Sequence, residues 1–254
     1  MYYKELIRVA RALKIVAIVC LILDAAAGAV VVWARLHGSL HTEPVQVPLA
    51  ALFALAAFVA IFPTTAFGTS LACENEGHLE LAWTKPASRA RYALVTFGVD
   101  AVGIVGAFAI ALVLLTVVPL AMLGMAGSIT VGSTAMLELL RDLGFLFAWY
   151  ALMQTLTASL RGGAGLVAGL SWIPALVLAV LAKAPLPPAW HDVIRFVDYI
   201  NPMAYFSNVD AQNNGVTHIE NFLGFGVDIT IVAVAVLAFA YAAIAIAQWR
   251  RLEA

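Results

Sequence analysis

Charge is scarce in this sequence. Only 11% of its 254 residues are Asp, Glu, Lys or Arg, 63% are hydrophobic, and the mean hydropathy is +0.96. A soluble domain carries about 25% charged and about 45–50% apolar residues, so a soluble fold is excluded and a polytopic membrane protein is expected. The formal net charge is −1. That removes the overall basicity a nucleic-acid partner would need. Cysteine is nearly absent, with Cys20 in an apolar run and Cys73 beside a polar stretch. Neither a disulfide framework nor a thiolate metal cluster follows from two such positions. The five histidines show no HExxH or comparable ligand spacing, so no metal is expected. A phosphate-cradling G-x-x-x-x-G-K-S/T loop is missing too. Any nucleotide chemistry would have to sit on another chain.

Long apolar runs are what the sequence does have. A membrane helix needs about 20 mostly apolar residues, and six segments qualify: 13–34, 48–72, 92–120, 137–160, 163–182 and 223–249. No strand-like alternation replaces them, and lipid forces backbone groups to pair internally. The expected fold is an all-α membrane protein, with residues 1–254 forming one domain. A signal peptide is not expected, because the first apolar run continues through Trp33.

Basic residues orient the spans. Lys4, Arg8, Arg11, Lys14, Lys85, Arg89, Arg91, Arg161, Arg250 and Arg251 fall on one side, and Arg35, Arg141, Lys183 and Arg195 on the other. The positive-inside rule then places both termini in the cytoplasm of a plasma or inner membrane. Residues 1–14 read as an amphipathic interfacial helix, with Lys4, Arg8 and Arg11 on one face and Tyr2, Leu6, Val9 and Leu13 on the other. The outer link, 183–222, holds a second short interfacial helix, "AWHDVIRFVDYI", which ends at Asn201-Pro202 before the last span.

One charged stretch interrupts the oil. "ENEGHLELAWTKPASR", residues 74–89, lies between the second and third spans. Leu79, Ala82 and Trp83 share a helical face, Pro86 ends the helix, and Ser88 can cap the span that follows. A chain reversal needs far less, as Arg161-Gly162-Gly163 shows. The extra length and the Leu/Trp face point to a protein partner.

This segment resembles the cytoplasmic coupling helix of type-2 permeases of ABC transporters, above all in its Thr-Lys-Pro-x-Ser-Arg core. The motif covers about twenty residues, while the architecture, with six spans and both ends inside, is similar over the whole chain. The resemblance implies a permease subunit, an exporter, forming the translocation pathway as a homo- or heterodimer with a second permease subunit. It implies two copies of a separate ATPase subunit, which would carry the ATP and magnesium, with no cofactor and no enzymatic activity in this chain. Glu76, Gly77, Leu79, Glu80, Trp83, Thr84, Lys85 and Arg89 become the ATPase-contact candidates. Leu79 and Trp83 would be the apolar anchor and the charges would set orientation. The resemblance also implies dimer contacts at the first and fifth spans, which Gly165-x-x-x-Gly169 would suit as a small-residue seam.

Acidic residues inside spans form the second set of candidates. Asp24 and Asp100 lie about 16 Å and about 13 Å into their spans from the same side, which puts both near mid-bilayer. Each should face protein or water, either as polar glue between helices or as part of a pathway. Asp24 shares a face with Cys20 and Gly28, and Asp100 shares one with Thr96 and Gly103. Glu138, Arg141 and Asp142 are helical neighbours at the outer end of the fourth span, where they form a local ion pair or an exit gate. Asp228 invites the same two readings at the outer start of the last span. Two other function classes compete with the permease: a non-transporting scaffold or sensor, and an intramembrane enzyme. The enzyme lacks a GxGD, HExxH or GxSxG pattern to carry it.

Overall fold

The computed structural model describes residues 2–37, 46–75, 89–122, 128–132, 135–160, 162–181, 184, 187–206, 219–222 and 225–251. Helices dominate it: α1 Tyr2–Leu36, α2 Leu49–Phe67, α3 Ser70–Asn75, α4 Arg89–Met122, α5 Ala135–Thr157, α6 Ala164–Leu170, α7 Trp172–Leu181, α8 Pro188–Asp198 and α9 Ile229–Arg251. Two small pairings join loops. Strand β1, Gln46–Pro48, runs parallel to β2, Ser128–Thr130, and β3, Ile219–Phe222, runs antiparallel to β4, Phe225–Asp228.

Five helical stretches are long and apolar enough to cross a membrane: Glu5–Ala34, Leu49–Cys73, Arg91–Thr116, Ala164–Leu181 and Thr230–Arg251. They mark the chain as a membrane protein. The fourth expected span, 137–160, is not among them. Its helix, α5, has 23 residues and a length of about 35 Å. It packs against α2, α4, α6 and α9 and buries Asp142, Trp149, Tyr150, Gln154 and Thr157. Enclosure by protein explains the polarity: a helix shielded from lipid keeps hydrogen-bonding side chains that an exposed one could not.

Several expected boundaries shift. Residues 1–14 were expected as a separate interfacial helix; instead α1 runs unbroken from Tyr2 to Leu36. Its faces differ as well. Leu6, expected on the apolar face, is 55% exposed, while Glu5 and Val9 are buried and Arg8 turns toward α4. The inward stripe continues through Val16, Cys20, Asp24 and Gly28 at four-residue steps. The fifth span divides into α6 and α7 at Ser171, because Pro174 supplies no N–H for the turn before it. The last span starts at Ile229 rather than 223, since 225–228 pair as a strand. Gly163, with φ 73°, opens α6 in the left-handed region that the tight reversal needs.

Residues 188–198 form α8, close to the helix expected over 189–200, and Asn201 ties it to α7. Asn201 is buried, its Nδ2 donates to Ala175 O at 2.9 Å and to Asp198 Oδ1 at 3.0 Å, and its Oδ1 accepts from Met203 N at 3.1 Å. Asn201→Ala should cost about 1–3 kcal/mol and expose Pro188–Tyr205 to protease. Limited proteolysis in detergent checks this, and an unchanged cleavage rate would show that the aromatic contacts of Phe206 hold the segment without Asn201.

Candidate functional site: a buried polar network around Asp100

Small side chains bring the helices together. Ala56, Ala57 and Ala60 of α2 and Ala107 and Ala111 of α4 are fully buried, and such residues permit close backbone approach. Helices α1 and α4 run parallel: a Cβ on Gly103 would meet Val9, and one on Gly106 would meet Leu13. That register sets Arg8 level with Asp100.

Asp100 is the centre of the site and is wholly buried. Its Oδ1 accepts from Arg8 Nη2. Its Oδ2 accepts from Ser70 Oγ at 2.9 Å and from the Tyr150 hydroxyl at 2.8 Å. Gln154 Nε2 lies 2.6 Å from Ser70 Oγ, 3.1 Å from the Tyr150 hydroxyl and 3.0 Å from Phe67 O. Arg8 Nη2 also pairs with Glu5 Oε2 at 2.7 Å, and Tyr92 donates to Glu5 Oε1 at 3.4 Å. The guanidinium lies 5.8 Å from the centre of the Phe67 ring, within cation–π range. Five helices, α1 through α5, thus meet in one chain of polar contacts. Arg8 is about a third exposed and is the open edge of the network.

The position matters as much as the chemistry. Ser70 opens α3, which ends at Asn75, and α4 begins at Arg89. The segment 76–88 therefore joins two helices that the network holds. Thr157 Oγ1 adds a bond to Gly68 O at 2.9 Å at the α2–α3 junction. Displacement of 76–88 would pass to α1 and α5 through hydrogen-bonded side chains.

The expected site residues separate into groups. Glu76, Gly77, Leu79, Glu80, Trp83, Thr84 and Lys85 lie outside the described residues, while Arg89 is the first residue of α4. Asp100 faces protein, as its neighbours Thr96 and Gly103 implied, and all three are buried. Asp24 is buried beside Cys20 and Gly28, also on the expected face, and its Oδ2 has no hydrogen-bond partner among the described residues. The shared mid-bilayer depth is corrected. Asp24 is sixteen residues beyond Arg8, about 24 Å further along α1, so the two acids form no dyad. Asp142 is buried with Arg141 and Glu138, both half-buried, as its charged neighbours. Asp228 ends β4. Gly165 and Gly169 are exposed, and a Cβ on either would meet nothing within 4 Å among the described residues.

Sequence reasoning missed Arg8, Ser70 and Tyr150 as partners of Asp100, with Glu5 and Gln154 behind them. A signal existed: Tyr150 and Gln154 stand four apart in an apolar helix, and so face the same way. Neither periodicity nor charge says which acid they meet. No family model matches the chain, and no curated protein and no solved structure matches it either.

Proposed function

We propose that the chain is the permease subunit of an ATP-binding-cassette exporter, working as a dimer in the cell membrane with both termini cytoplasmic. In this reading α5 is the fourth of six spans, and 74–89 is the coupling helix that two copies of a separate ATPase engage. One observation carries the reading: the motif-bearing segment is attached at both ends to helices held by the Asp100 network. A loop that only reversed the chain would gain nothing from that attachment, whereas a coupling element requires it, because force entering at 76–88 must reach the spans. Polar contacts suit the task, since they break and re-form between discrete arrangements where a packed apolar seam would slip.

The test is association. The chain is co-expressed with candidate stand-alone ABC ATPase subunits from its own genome, and ATP hydrolysis is measured for wild type and for the double variant Leu79→Asp/Trp83→Asp. Wild type should co-purify with the ATPase and change its turnover. The double variant should lose association by about a hundredfold or more, the scale of a lost apolar hot spot of ~3 kcal/mol. If no ATPase associates, or the variant binds unchanged, the permease reading fails and a non-transporting scaffold or sensor takes its place.

A further inference from the structure

The contacts of Arg8 are arranged for exchange rather than for permanence. A guanidinium fixed to a carboxylate presents two nitrogens to two oxygens, and that bidentate fork is the strong form of the pair. Here a single nitrogen, Nη2, meets both Asp100 Oδ1 and Glu5 Oε2. Arg8 Nε is buried and has no hydrogen-bond partner among the described residues. Two carboxylates therefore compete for one nitrogen of one cation. One of them, Glu5, rides on α1 with Arg8, and the other belongs to α4.

Loss of Arg8 would not strand Asp100. Its other oxygen keeps the Ser70 and Tyr150 hydroxyls as donors, and Gln154 orients both. Arg8 would not be stranded either, because Glu5 is one helical turn away on its own helix and already pairs with Nη2. Breaking a buried ion pair is costly mainly because a charge is left without a partner. Here Arg8 retains a carboxylate and Asp100 retains two hydroxyl donors, which lowers the cost of parting α1 from α4, as a switch requires.

We propose that Arg8 is a transferable contact: it bridges Glu5 and Asp100 when α1 is docked on α4 and stays with Glu5 when α1 moves away. Glu5 and Arg8 are then positioning residues that carry the stroke from the 76–88 segment into the first span. The inference rests on the permease reading above and adds α1 to its moving parts.

Glu5→Gln is the decisive variant, because it leaves the Arg8–Asp100 pair intact and removes only the alternative partner. Spin labels are placed at Ile22 and Val102, both on exposed faces, after Cys20 and Cys73 are replaced by serine or alanine. The full chain is reconstituted with its ATPase in lipid vesicles, and distances are measured without nucleotide and with ATP plus vanadate. Wild type should show a nucleotide-driven change in the α1–α4 distance. In Glu5→Gln the fraction of molecules that respond should fall roughly tenfold, while ATPase association and thermal stability hold. The charge swap Arg8→Asp/Asp100→Arg provides a second readout. It should leave the response as weak as Arg8→Asp alone does, because a carboxylate at position 8 has no partner in Glu5, and a regained response would overturn the inference. A response in Glu5→Gln equal to wild type overturns the inference, because a merely structural pair would tolerate that change. An invariant α1–α4 distance in an associated wild-type complex overturns it as well. Failure of wild type to associate with the ATPase strikes the permease reading itself, and the association step reports that separately.

Discussion

Asp100→Ala should lower the stability of the purified protein by about 3 kcal/mol, the lower end of the cost of breaking a buried ion pair. Removing the carboxylate takes the acceptor from Arg8, Ser70 and Tyr150 at once. The two hydroxyls lose their shared acceptor in an apolar interior, where each unmade bond costs about 1–3 kcal/mol. Part of that returns, because Gln154 can re-pair with Ser70 and Tyr150 and Arg8 keeps Glu5. Asp100→Asn keeps the shape and one acceptor oxygen but loses the charge and turns the other oxygen into an N–H donor, so it should cost less than Asp100→Ala but not be neutral. Thermal unfolding in detergent, followed by tryptophan emission, measures both. A loss under about 1 kcal/mol for Asp100→Ala, the average scale of polar contacts in membrane helices, would mean that the network does not hold the helices together.

Gly68→Ala is the second large effect, and its cause is steric. A Cβ at Gly68 would sit 2.2 Å from Met153 Cβ, and Met153 is fully buried on α5. The obstacle is a Cβ fixed to backbone rather than the end of a flexible side chain, so α2 and α5 must part. Overpacking of this kind costs about 1–3 kcal/mol. The bonds from Gln154 to Phe67 O and from Thr157 to Gly68 O cross the same junction and would stretch with it. Gly98→Ala is the control. It lies on an exposed face of α4 with nothing within 4 Å of a new Cβ. It should be neutral or stabilise by up to about 1 kcal/mol through helix propensity. Equal melting temperatures for the two variants would refute the close-approach account of Gly68.

Much of the helical layout was legible because lipid leaves a helix few choices. Apolar length alone located α2, α4, the α6–α7 pair and α9 to within a few residues. Ends were less legible. The start of α9 depended on β4 pairing with β3, a contact between residues that no periodicity links. The N-terminal helix misled because its amphipathic pattern was read as membrane surface against water. Charged Arg8 instead faces the bundle, where an acid from α4 waits. Helix α5 shows the limit of hydropathy, which measures what a helix would suffer in lipid and not whether lipid ever touches it.

The sequence by itself determined that this is a membrane protein built of helices, that Asp24 and Asp100 would turn away from lipid, and that residues 74–89 stand apart from the spans. Those properties follow from solvation, which each segment meets on its own account. Tertiary structure alone decided that Arg8, Ser70, Tyr150 and Gln154 converge on Asp100 while Asp24 lies a bundle's length away. Which polar group meets which depends on helix register and azimuth. Those are set by where alanines and glycines let backbones touch, a property of helix pairs that no single segment carries.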